Sequence, residues 1–137
     1  MITELRRYRI RPDKLESWVE FFREAGRRNE AGGAHVEFAG VDRETSTYIW
    51  LRTYADEADR KARKDAFYGS DWWNEHESFA MDHVIEYDVT FLETTMHRDG
   101  GELITLPWPV AQERPDGAAD SPPDGWTAST RRLFVRD

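Results

Sequence analysis

Four side chains in this 137-residue sequence could bind an anionic oxygen or move a proton beside aromatic walls: Arg6, His35, Arg52 and His76. An arginine presents a rigid fork of N–H donors that suits a carboxylate, a phenolate or a developing enolate. A histidine exchanges its proton near neutral pH. Around these four stand candidates for a ligand-binding wall: Tyr8, Glu37, Trp50, Tyr54, Trp72, Trp73 and Glu86. Flat aromatic side chains with a few polar groups are the usual lining for a planar organic molecule. Alternation groups several of them. Ile2, Glu4, Arg6, Tyr8 and Ile10 fall on one face of an extended segment. Tyr48, Trp50, Arg52 and Tyr54 fall on one face of another, with Ile49, Leu51 and Thr53 opposite.

Each candidate also has a plainer reading. Glu4 and Arg6 are better read as a structural ion pair, of the kind that adds little when intact but costs about 3–5 kcal/mol when one member is removed. His35 and Glu37 form an H-x-E, which could be a base with its carboxylate or two metal ligands, yet a metal needs a third and fourth ligand at fixed geometry. His76 and His83, seven apart, share a helix face near Trp72, Trp73 and Phe79, as a single-histidine haem pocket would require, but no specific motif supports haem. Neither a metal nor a cofactor is expected. Arg52 serves equally well as a ligand anchor or as a cation stacked in an interface. The run Arg60-Lys61-Arg63-Lys64 is interleaved with Asp56, Glu57, Asp59 and Asp65, which reads as a solvated helix with i,i+4 pairs. There is no phosphate-binding loop, serine elbow or cysteine nucleophile.

The elements that must position these groups follow from periodicity. Residues 1–10 read as a strand that Pro12 stops. Leu15, Trp18, Val19 and Phe22 recur at helical spacing, and Gly32-Gly33 ends that helix. Residues 35–42 and 48–54 read as a hairpin. Asp56 caps a second helix with Ala58, Ala62, Ala66 and Phe67 on its inner face, and Ser70 or Asp71 caps a third. Residues 84–92 make a fourth strand. The order strand, helix, strand, strand, helix, strand predicts an α+β fold: a ferredoxin-like split βαβ unit, a four-stranded antiparallel sheet with helices on one face. The face bearing Tyr8, Trp50 and Tyr54 is expected to lie away from the helices, covered by a second copy in a homodimer whose two sheets close a dimeric α/β barrel. Residues 1–93 form this domain. Residues 94–137, which carry five of the six prolines, read as an irregular extension, with Leu103-Ile104 and Leu133-Phe134-Val135 as short apolar islands that dock on the core or on the partner.

Composition narrows the partners. A net charge of −8 opposes binding to a nucleic-acid backbone. With no cysteine there is no disulfide framework, as befits the cytoplasm, where this chain is expected to reside. The opening MITELRRYRIRP has no apolar signal region, and no stretch is long enough to span a bilayer, so no membrane association is expected.

Glu4-Leu5-Arg6 with Tyr8, followed by Arg11-Pro12-Asp13-Lys14-Leu15, resembles the opening of the NIPSNAP family, where a strand carrying E-L-R and an aromatic leads into a K-P-G-K-like helix start. The strand from Tyr48 to Tyr54, the helix after it and Asp71-Trp72-Trp73 resemble the family's later core, so the likeness covers roughly residues 1–93. Asp13 replaces the usual glycine, and Arg52 stands where relatives often carry tryptophan. The resemblance implies a dimeric α/β barrel, a superfamily that includes cofactor-free monooxygenases of antibiotic biosynthesis, muconolactone isomerase-like enzymes and haem-binding members. It implies a small hydrophobic or aromatic metabolite as ligand, handled by a cofactor-free isomerase, cyclase or monooxygenase. The competing reading is a non-catalytic dimeric binding or structural module.

Overall fold

A computed structural model gives the fold and describes residues 1–109 and 119–137. The alternating opening segment forms β1 (Ile2–Ile10), and Pro12, with no N–H for a ladder, begins a short 3-10 turn over Pro12–Lys14. The helix α1 (Leu15–Ala31) buries Leu15, Trp18, Phe22, Ala25 and Asn29, a stripe spaced by threes and fours. It ends at Gly32-Gly33. Gly33 adopts φ 93°, a left-handed conformation that favours glycine. The strands β2 (His35–Asp42) and β3 (Thr47–Tyr54) pair as a hairpin. In α2 (Glu57–Tyr68) the Asp56 carboxylate accepts the Asp59 N–H at 2.7 Å, and in α3 (Asp71–Asp82) the Ser70 hydroxyl accepts the Trp73 N–H at 3.2 Å. The strand β4 (Val84–Leu92) follows.

The four strands lie in the antiparallel order β2-β3-β1-β4, the ferredoxin-like arrangement expected from the element order. The sheet then continues past β4. Residues beyond 93 are not simply irregular: β8 (Leu133–Arg136) pairs with β4 and β7 (Trp126–Ala128) pairs with β8. The Leu133-Phe134-Val135 island is thus an added strand of the chain's own sheet. Phe134 is fully buried and stacks on Tyr87 with ring centres 4.7 Å apart. Leu103-Ile104 lies instead in a separate hairpin of β5 (Met96–Asp99) and β6 (Glu102–Thr105).

The two faces of the sheet are the reverse of the expectation. Register places Glu4 opposite Arg52, Arg6 opposite Trp50, and Tyr8 between Tyr48 and Tyr87, so these side chains share a face. That face lies under the helices. Trp18 and Phe22 of α1 pack on it, Trp18 at 5.5 Å from Tyr8 and Phe22 at 4.8 Å from both Tyr48 and Trp50. Leu5, Ile49 and Leu51 look the other way and are half-buried, with Phe38 beside them 50% exposed. The aliphatic residues had the look of helix-packing surface. The charged face wins the helices because α2 answers it in kind. Ala58, Ala62 and Ala66 are exposed, while Arg60 is buried and Lys64 half-buried toward the sheet. The β1–β4 register shifts between Arg9 and Ile10, beyond Arg6, so Arg6 and not Arg7 points inward.

Candidate functional site

The charged centre of the buried face is Glu4, which has no exposure at all. Its Oε2 accepts from Arg52 Nε at 2.8 Å and Arg6 Nη1 at 3.2 Å, and its Oε1 accepts from Arg60 Nε at 2.7 Å. Lys64 Nζ stands 4.0 Å away. Burial by itself would raise the Glu4 carboxyl, but Arg52, Arg6 and Lys64 together outweigh it and hold the group down at about 2. Arg52 also donates from Nη1 to Asn29 Oδ1 at 2.8 Å, and its guanidinium lies 4.9 Å from the Trp50 ring centre. Arg52 remains charged: burial opposes the cation, and Glu4 more than restores it.

Arg6 occupies the next position along β1. Its Nε and Nη2 donate to the Tyr8 hydroxyl oxygen at 3.1 and 2.9 Å. On its other edge Nη1 and Nη2 donate to the two carboxylate oxygens of Asp120 at 3.3 and 2.5 Å. Asp120 also accepts from Lys64, and the neighbouring carbonyl of Ala119 accepts from Arg60 and Lys64. Burial would raise the Asp120 carboxyl, and the attraction of Arg6 and Lys64 drives it far below the ordinary carboxylate range instead. Burial pushes the Tyr8 and Tyr87 phenols up, so both keep their protons at neutral pH.

Beside this network lies a partly open cavity of about 1030 Å³ between the sheet, the three helices and residues 119–124. Trp18, Phe22, Trp50, Trp73 and Tyr87 form aromatic walls, Arg6 and Tyr8 reach it from the sheet, and charged residues including Glu57, Lys61, Asp65, Glu77 and Asp124 line the rest. The indole N–H groups of Trp18 and Trp50 are buried without a hydrogen-bond partner among the described residues.

The residues picked from sequence fall into three groups. Arg6, Tyr8, Trp50 and Trp73 line the cavity. Arg52 and Tyr54 are buried in the same sheet face but are not among the lining residues. The others lie apart. His35 is exposed, 3.6 Å from Glu30. Glu37 accepts from the Thr53 hydroxyl at 3.0 Å, on the outer face of the sheet. Trp72 stacks on Phe21, and His76 stacks on Trp72 while its Nδ1 meets the Trp72 carbonyl at 2.6 Å. Glu86 pairs with exposed Arg9 at 3.2 Å. His83, weighed with His76 as a haem ligand, has its ring nitrogens engaged by Ser17 Oγ and the Phe79 carbonyl. Among the described residues no three His, Asp or Glu side chains gather as a metal site would require, and no helix is long and apolar enough to cross a membrane.

Sequence reasoning missed Asn29, Arg60, Lys64 and Asp120. Glu57, Arg60 and Lys64 do recur at helical spacing, so an inward polar face was readable. The alanine stripe on the same helix was the stronger and misleading signal. Nothing local marks Asp120, whose place depends on the chain turning back over the cavity.

Fold and site together define a ferredoxin-like α+β protein with a ligand-sized cavity held between its helices and its sheet. A family model for NIPSNAP matches residues 3–96, and the chain belongs to the NIPSNAP family. Solved structures agree on the fold. A NIPSNAP family protein from Agrobacterium tumefaciens strain C58 is 24% identical, with 69% of this chain covering 92% of that one at TM-score 0.62. An uncharacterized NIPSNAP-like domain protein from Burkholderia xenovorans is 18% identical, with 79% covering 95% at TM-score 0.61. An antibiotic biosynthesis monooxygenase is 12% identical, with 69% covering 98% at TM-score 0.54. No curated protein matches the chain.

Proposed function

We propose that this protein binds a small, flat, aromatic metabolite in the cavity between its helices and its sheet. The observation that carries this reading is the cavity itself: about 1030 Å³ of space, with tryptophan, phenylalanine and tyrosine on part of its wall, the Arg6–Tyr8 pair at the sheet and charged side chains around the rest. A sheet face whose only task was to support helices would be filled. The arginines are spoken for by Glu4, Asn29, Tyr8 and Asp120, so they hold the wall in place rather than wait for a ligand. That favours binding over catalysis by Arg6, Arg52, His35 or His76. One observation favours chemistry on the bound molecule: Tyr8 retains its proton and touches the cavity, so its O–H could polarise a ligand oxygen by hydrogen bonding in an isomerase-, cyclase- or monooxygenase-like reaction.

We place the second copy of a homodimer on the opposite face from the one first expected, over Leu5, Phe38, Ile49 and Leu51. Apolar side chains of this kind in one patch are unusual on a surface left in water.

Native mass spectrometry of the protein as purified, compared with its denatured mass, tests both readings. A ligand mass on a dimer is the expected result. Re-adding the extracted ligand and following its own mass separates binding, which leaves it unchanged, from turnover. A bare monomer that takes up no aromatic ligand sinks the proposal.

A further inference from the structure

We infer that the cavity selects neutral ligands carrying a carbonyl-type oxygen, with the Tyr8 hydroxyl donating to that oxygen and Asp120 excluding anions. The inference rests on the cavity reading above and adds the ligand's charge class. Arginine has five N–H donors, and those of Arg6 have five acceptor contacts: two to the Tyr8 oxygen, two to Asp120 and one to Glu4. An anionic ligand approaching Arg6 therefore meets a cation without donors to give. It also meets the Asp120 carboxylate, whose side chain is only 7% exposed and is held by both Arg6 and Lys64. The chain supplies its own anion at the position where a ligand carboxylate would otherwise sit.

Tyr8 offers the complementary half. Its oxygen accepts two N–H groups from one guanidinium, and its own O–H has no acceptor among the described residues. Two charge-assisted bonds into the oxygen draw electron density from the O–H and make it a better donor. Besides Asp120, the carboxylate residues Glu57, Asp65, Glu77 and Asp124 line the cavity, and each adds to the repulsion an anion would meet there. One free phenol O–H beside a charge-neutralised arginine and several carboxylates suits a neutral aromatic ketone or aldehyde better than an aromatic acid. The family match ends at residue 96, so Asp120 belongs to the part of the chain outside it, and this selectivity is a property of this protein's own tail.

The test uses two probes of one shape, 2-acetonaphthone and 2-naphthoate, titrated by calorimetry into the full-length protein at neutral pH. The wild type is expected to bind the ketone at least roughly tenfold more tightly than the carboxylate. Asp120→Asn keeps the side chain's shape and removes its charge, and is expected to shift that ratio about tenfold or more toward naphthoate. Tyr8→Phe is expected to weaken the ketone about tenfold while leaving 2-ethylnaphthalene unchanged. A wild type that binds naphthoate as tightly as the ketone overturns the charge selection but leaves the cavity reading standing. A folded wild type that binds none of the three overturns both. If Asp120→Asn does not fold, the wild-type ratio and the Tyr8→Phe comparison decide the matter without it.

Discussion

Replacing Glu4 by glutamine removes one charge from the point where three guanidiniums meet. The carboxyl titrates at about 2 in the folded chain, against 4.5 for an unburied glutamate. At about 1.36 kcal/mol per pKa unit, that separation corresponds to roughly 3 kcal/mol in favour of the charged form. Mutational experience with broken buried ion pairs gives a similar figure, about 3–5 kcal/mol. Glutamine cannot escape the cost by rotating. Oε1 faces Arg60 and Oε2 faces Arg6 and Arg52, so either orientation turns an NH2 group toward a guanidinium. With a urea m-value of about 2 kcal/mol/M, the Glu4→Gln unfolding midpoint is expected to fall by roughly 1.5 M. The pH dependence carries a sign. Because folding lowers this pKa, the stabilisation is complete above about pH 5 and is lost as pH falls through 4.5 toward 2. The variant should lose that part of the acid slope and keep the part from Asp120, whose carboxyl is also depressed. A midpoint shift worth less than about 1 kcal/mol, or acid slopes that match in the two proteins, would refute the view of Glu4 as the organiser of this cluster.

Other outcomes follow from the same geometry. Ala25→Phe, at a buried position on α1 that lines the cavity, is expected to abolish ligand carry-over in native mass spectrometry while circular dichroism stays unchanged. Leu51→Glu on the outer sheet face should convert a dimer to a monomer in light scattering, whereas a charge reversal at exposed Arg27 on α1, as in Arg27→Glu, should leave the dimer intact. Phe134→Ala, fully buried against Tyr87, should cost about 3–5 kcal/mol in chemical unfolding. That loss would be absent if the tail strand were dispensable. His35→Ala should leave ligand affinity unchanged and alter stability by no more than about 0.5 kcal/mol, because its side chain is exposed and far from the cavity lining.

The element order was legible because each segment's own pattern settles it. The stripe of Leu15, Trp18 and Phe22, the stop at Pro12, the caps Asp56 and Ser70 and the strand alternations all act locally. Which face of the sheet meets the helices is a different kind of question. It depends on what the helices carry, and Trp50 and Glu4 were compatible with either side until Phe22 and Arg60 were placed against them. The buried position of Arg60 was hidden by its surroundings in sequence. A helix rich in Arg, Lys, Asp and Glu ordinarily turns its charges to water, and only a carboxylate on the sheet, Glu4, reverses that preference. His76 and Trp72 were attractive as a pair, and they do stack, but Phe21 comes between that stack and the cavity, and neither residue lines it. Asp120 lies 114 residues from the arginine it binds, a separation at which no periodicity speaks.

The tail decides how far kinship can be carried. Residues 3–96 are shared with the NIPSNAP family, yet several contacts that shape the cavity come from beyond them. Phe134 and Trp126 back Tyr87, one of the cavity walls, and Asp120 occupies the donors of Arg6. Without those residues the same sheet face would present Arg6 and Lys64 with fewer anions beside them. Under the charge selection proposed above, a tail that inserts no anion beside Arg6 would leave the shared core more tolerant of an acidic ligand. Asp120→Asn is the change that tests how much of the proposed selection the tail supplies.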